Sequence, residues 1–157
     1  MKKERFRASV GAMIVDRRGK VLACDRADVP EEAWQMPQGG IRRGEEPLEA
    51  VWRELAEETG LARDAVDLIA ELSRWIAYEL PEPYRSRKTG RGQVQKWFLF
   101  RARARAPDAR PDGAEFRACR WMAPQDLLRQ TADFRRPVYS EVFDTFLPLL
   151  GPRRGDL

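Results

Sequence analysis

The chain has 157 residues, 29 basic against 25 acidic side chains, a net charge of +4 and no histidine. That length suits one domain with a sizeable core and is short for two. The lack of histidine excludes a Ser-His-Asp or Cys-His nucleophile system, a His-ligated zinc site and a histidine general base. Any chemistry must rest on carboxylates, lysine, arginine, tyrosine or a metal.

Two cysteines, Cys24 and Cys119, show no CxxC pairing and no metal-ligand spacing, and read as reduced, buried thiols. No apolar run approaches the ~20 residues of a membrane span. The first ten residues, MKKERFRASV, carry charge but no apolar stretch of signal-peptide length. We therefore expect a cytoplasmic monomer with no membrane association. Only five of the 29 basic residues are lysine. Arginine favours forked, planar contacts to phosphate, so the basic surplus suits a polyanionic partner.

In chain order, residues 8–15 (ASVGAMIV) read as a buried strand, Asp16–Lys20 as a turn and Val21–Cys24 as the returning strand of a hairpin. Asp25–Glu32 is a polar loop. Trp34–Met36 is a short strand leading into Pro37-Gln38-Gly39-Gly40, where paired glycines let the backbone approach a ligand or metal.

The stretch from Gly39 to Leu61 then crowds glutamates into an arginine-rich chain. Leu48, Val51, Trp52, Leu55 and Ala56 recur at helical spacing and predict an amphipathic helix. Pro47 suits its first position and Gly60 a left-handed stop. Glu54, Glu57 and Glu58 share one patch away from the apolar stripe, partly exposed and mutually repelling. Hard divalent cations take oxygen ligands of this kind. Arg53 is placed to reach back to Glu45 and tie the loop to the helix. The plain alternative is a solvated acidic face with surface ion pairs.

Residues 66–78 read as one extended segment, broken by Pro81 and Pro83. Tyr84–Gln93 reads as a mobile basic loop through Arg85, Arg87, Lys88 and Arg91. Lys96–Phe100 is the clearest central strand, followed by a second basic, proline-containing loop to Pro111. Residues 116–122 alternate as a strand, Pro124–Leu128 form a short helix, and Val138, Val142, Phe143, Phe146 and Leu150 stripe a C-terminal helix. Pro152–Leu157 read as a frayed tail. No GxxxxGK[ST] or strand-GxGxxG motif is present, and no repeat or domain boundary. The pattern predicts a single α/β domain over 1–157, with its core in about 5–150.

Gly39, Glu45 and the run Arg53-Glu54-Leu55-Ala56-Glu57-Glu58-Thr59-Gly60-Leu61 resemble the Nudix box at every defined position. Trp34–Gly40, Tyr78–Pro81, Gln93–Phe98 and Phe116–Trp121 are similar to the RNA pyrophosphohydrolase and diadenosine polyphosphate hydrolase branch. The resemblance implies an α/β/α sandwich around a mixed sheet, with the box as loop-helix-loop. It implies Mg²⁺ or Mn²⁺ held by Glu54, Glu57 and Glu58, with Glu115 assisting and backbone at Gly39 or Gly40 adding a ligand. One of these glutamates, left open, takes the proton of the attacking water, and Arg53 belongs to the catalytic set.

It further implies substrate contacts from Arg7, Gln38, Gly40 and Lys96, and a base gripped between Arg26 and Phe134. The implied activity is metal-dependent removal of phosphates from the 5′-triphosphate or diphosphate end of RNA, promoting decay. Diadenosine tetra- or pentaphosphate hydrolysis is the close alternative, and a non-catalytic RNA-binding module the distant one. One departure is the basic pair Arg42-Arg43 inside the box, where relatives often carry neutral or acidic residues.

Overall fold

The computed structural model describes residues 5–103, 109–111 and 113–151. The expected frayed tail, and residues 104–108 of the second basic loop, lie outside the described residues.

One mixed sheet organises the domain. Its strands are β1 (Phe6–Val15), β2 (Val21–Arg26), β3 (Trp34–Gln35), β4 (Gln38–Gly40), β5 (Val66–Glu71), β6 (Ile76–Glu79), β7 (Gly92–Ala102) and β8 (Phe116–Met122). Among the described residues three α-helices cover it: α1 (Pro47–Thr59), α2 (Pro124–Gln130) and α3 (Arg136–Phe146). Strand periodicity sorts the core into two layers. Met13, Val15, Trp97 and Leu99 face α3 through Val138, Tyr139, Val142 and Phe146. Ala12, Ile14, Phe98 and Phe100 face α1 through Ala50, Val51 and Leu55. The central strands β1 and β7 are thus buried on both faces, which gives the expected α/β/α sandwich.

Three details depart from the linear reading. First, β1 and β2 meet at Val15↔Val21, but the long partner of β1 is β7, parallel from Phe6↔Gly92 to Val15↔Arg101. The hairpin splays, and β4 fills the freed edge of β1 with Ser9↔Gly40 and Gly11↔Gln38. Second, the 66–78 segment divides into β5 and β6. Both pair with β7, at Val66↔Ala102 to Glu71↔Phe98 and at Ile76↔Gln95 to Glu79↔Gly92, with a register shift inside β5.

Third, the basic segment read as mobile is a hydrogen-bonded turn, and Gly92 and Gln93 already belong to β7. Ser86 and Thr89 bond to each other, and the Gly90 amide donates to the Ser86 carbonyl at 2.8 Å. Gly90 sits at φ 70°, and a Cβ there would lie 2.2 Å from the Arg5 carbonyl oxygen, so glycine is required. Arg85 and Arg91 pair with Glu79, while Arg87 and Lys88 face solvent.

Candidate active site

The box folds as its residues dictate. Pro47 opens α1, and Gly60 at φ 70° closes it, its amide donating to the Ala56 carbonyl. The Thr59 hydroxyl donates to the Leu55 carbonyl at 2.6 Å and accepts from the Leu61 amide, so Leu61 turns inward. α1 lies over β4, which places the glutamates against Gly39.

Arg53 is the hub. Its Nε and one terminal nitrogen grip both Glu45 oxygens at 2.8 and 2.9 Å. Its guanidinium also reaches Glu54 at 2.8 Å, Glu57 at 3.3 Å and the Gly40 carbonyl at 2.9 Å. The expected tie from helix to loop is therefore present. The same grip lowers the Glu45 carboxyl to about 2.

The acidic patch differs from the expected half-exposed one. Glu54 and Glu58 are buried at 9% and 2% exposure, whereas Glu57 is half-exposed. Burial raises the Glu54 carboxyl despite Arg53. Burial, then Glu54, then Glu115 push Glu58 well above the ordinary carboxylate range. Glu115 precedes β8, its carbonyl accepts from the Ala27 amide at 2.8 Å, and its carboxylate is among the charges that act on Glu58.

Gly39 makes the crowding possible. A Cβ there would lie 2.1 Å from the Glu54 carboxyl carbon. Glu58 accepts from the Gln38 amide at 3.2 Å. Among the described residues no three acidic or thiol side chains already surround a common point. Glu54 and Glu57 are turned onto Arg53, and Glu57 also onto Arg42 at 3.3 Å. Mutual repulsion drives such carboxylates onto available cations. Clustered carboxylate oxygens packed against a Cβ-free backbone have the donor chemistry that fits a hard divalent ion, which binds them deprotonated.

The other expected residues fall around this centre. Arg7 lies over Gly40, where a Cβ would meet its guanidinium at 2.0 Å. The Gln38 side chain accepts from Gln95 at 3.2 Å. Arg26, at the end of β2, is forked onto Asp28, with Glu115 and Glu58 among the charges around it. Phe134 is half-buried beside Tyr78, with ring centres 6.1 Å apart, and beside Tyr84 at 5.4 Å. Lys96 is committed elsewhere: its ammonium donates to the Leu72 carbonyl and stands 3.7 Å from Glu71.

Sequence reasoning missed Arg135 and Tyr78 as members of this surface. Arg135 is buried with its guanidinium 4.6 Å from the Phe134 ring centre. Among the described residues neither its Nε nor the Tyr78 hydroxyl finds a well-formed hydrogen bond, although Tyr78, Gln38 and Arg135 are neighbours. Buried polar groups without well-formed partners are costly. The only signal in the sequence was Arg135 next to Phe134 in an arginine-rich chain, which does not separate a buried arginine from a solvated one.

Residues 5–142 match the NUDIX domain. The chain is 45% identical over 142 residues to an RNA pyrophosphohydrolase of Rhodospirillum rubrum, covering 87% of this chain and 84% of that protein. It is 42% identical over 150 residues to an RNA pyrophosphohydrolase of Cereibacter sphaeroides, covering 92% and 93%. A chloroplastic Nudix hydrolase 26 of Arabidopsis thaliana is 37% identical, covering 91% and 70%. Among solved structures, an E. coli dihydroneopterin triphosphate pyrophosphohydrolase superposes with a TM-score of 0.73 at 20% identity, covering 88% of this chain and 97% of that one. A C. elegans Ap4A hydrolase superposes at 0.69 and 19%, covering 90% and 98%. With the box on α1 and β4 and this extent of likeness, the chain belongs to the Nudix family.

Proposed function

We propose that this protein is an RNA pyrophosphohydrolase that hydrolyses phosphoric anhydride bonds at the 5′-triphosphate or diphosphate end of RNA. One juxtaposition carries the reading. Glu54 packs at Gly39, Glu58 accepts from the neighbouring Gln38 amide with Glu54 and Glu115 among the charges on it, and the Arg26 guanidinium feels both Glu58 and Glu115. The named relatives at 42% and 45% identity support the same substrate class.

Mg²⁺ or Mn²⁺ would be held by Glu54, Glu57, Glu58 and Glu115 with backbone oxygen near Gly39, and supplies charge neutralisation on the phosphate oxygens and acidification of water. The chain does the rest. Arg53 fixes Glu54 and Glu57 and aims the Gly40 carbonyl. A carboxylate of the set accepts the proton of the attacking water. Arg7, Arg26 and Arg135, with Tyr78 and Gln38, bind the phosphate chain, and Phe134 and Arg26 stack the base. Lys96 would reach a phosphate only by leaving Leu72 and Glu71. The product is a 5′-monophosphate end, and this step would initiate decay in the cytoplasm. The enzyme acts as a monomer.

Diadenosine polyphosphates would use the same carboxylates. Tyr84, half-exposed beside Phe134, offers a second base platform that favours this reading. The test compares both substrates with Mg²⁺ at equal concentration and identifies the products. Metal-dependent conversion of triphosphorylated RNA to monophosphorylated RNA supports the proposal. Absence of any phosphate release from either substrate would favour a non-catalytic RNA-binding module.

A further inference from the structure

β2 and β8 run antiparallel with Cys24 directly opposite Cys119. The two residues are 95 positions apart in sequence, and their Sγ atoms stand 2.8 Å from each other. Opposed residues in an antiparallel ladder have Cα atoms about 4.5 or 5.5 Å apart. Both spacings fall inside the ~4.4–6.8 Å that a disulfide spans. Bond formation therefore asks little of the backbone. Cys24 is fully buried and Cys119 only partly, both on the α1 face of the sheet with Leu22 and Trp121.

We propose that Cys24 and Cys119 form a thiol–disulfide modification site, oxidised by hydroperoxides, that staples β2 to β8 behind the active site. The more accessible Cys119 thiolate attacks the peroxide oxygen, becomes a sulfenic acid and releases water or an alcohol. The Cys24 sulfur then displaces water from Cys119, and the S–S bond forms. Two thiol electrons pass to the peroxide, and the two thiol protons leave in the released water and alcohol. The staple lies next to the functional edge. The register of this strand pair shifts between Asp25 and Arg26, and the Ala27 amide holds the Glu115 carbonyl just before β8. The bond would tie the two strands close to Arg26 and Glu115 and restrain the movement of one residue against the other.

The full chain is treated with hydrogen peroxide and read by intact mass, thiol titration after denaturation, thermal melting and turnover. The expected result is a loss of ~2 Da with both thiols gone, a raised melting temperature from closure of a long loop, and reduced turnover, all reversed by dithiothreitol. Cys119→Ser should lose no mass and keep Cys24 titratable. Cys24→Ser should stop at a sulfenic acid trappable by dimedone. The mass and thiol readouts do not depend on the proposed reaction. Two thiols still titratable in the treated parent, or Cys119 carried to sulfinic acid beside a reduced Cys24, would overturn the site. Full crosslinking with unchanged turnover would overturn its link to Arg26 and Glu115.

Discussion

Gly39→Ala isolates the geometric heart of the site. The new Cβ would sit 2.1 Å from the Glu54 carboxyl carbon and 2.2 and 2.4 Å from its oxygens. Ordinary contact needs about 3.4 Å or more, so the carboxylate must retreat by roughly 1 Å. It cannot do so freely, because Arg53 holds it at 2.8 Å and its side chain is mostly buried. A misplacement of about 1 Å in a reacting constellation costs on the order of 100-fold in rate. Overpacking of this kind destabilises by about 1–3 kcal/mol, a melting shift of a few degrees in a domain of this size.

The assay is turnover of triphosphorylated RNA at saturating Mg²⁺, with thermal melting by circular dichroism. The expected result is a large fall in kcat with a folded protein. Adding Glu54→Asp, which withdraws the carboxylate by one methylene, should recover most of the lost melting temperature without restoring turnover. Near-parental kcat in Gly39→Ala would refute the packing of Glu54 against β4 as the basis of the site.

Glu58→Gln tests the buried carboxylate. Its folded value is raised above the ordinary 4.5, so its contribution to stability is full below that value and is lost as pH rises through the raised one. The metal-free variant should melt higher than the parent near pH ~8, similarly near pH ~4, and turn over poorly; an identical pH dependence of melting would contradict the burial argument. Phe134→Ala should weaken RNA binding by about 1–3 kcal/mol if a base stacks there, whereas unchanged KM would leave the ring a packing residue for Tyr78. Replacing exposed Arg87 and Lys88 with glutamine should flatten the salt dependence of RNA binding while sparing diadenosine tetraphosphate; equal losses on both would mean that the turn only steers anions.

The box helix was legible because every local cue agreed: Pro47 at the start, apolar spacing through Leu55, Gly60 at the stop, and Arg53 opposite Glu45. The two-layer core followed from strand alternation in β1 and β7. The burial of Glu54 and Glu58 was not legible, since it arises only when β4 displaces β2 along β1 and brings Gly39 under α1. Sequence spacing on one helix reports which carboxylates share a face, not what covers that face. The parallel pairing of β1 with β7 is similarly non-local. Arg135 and Tyr78 come from α3's approach and from β6, and meet only through the tertiary fold.

RNA 5′ ends and dinucleoside polyphosphates present the same kind of anhydride to the carboxylates beside Gly39. The most direct measurement is kcat/KM for a short triphosphorylated RNA and for diadenosine tetraphosphate, with Mg²⁺ and with chelator, resolving the RNA product by its 5′ end. The expected result is a monophosphorylated RNA product, loss of turnover with chelator, and a higher kcat/KM for RNA. A higher kcat/KM for diadenosine tetraphosphate, or undiminished turnover in chelator, would contradict it.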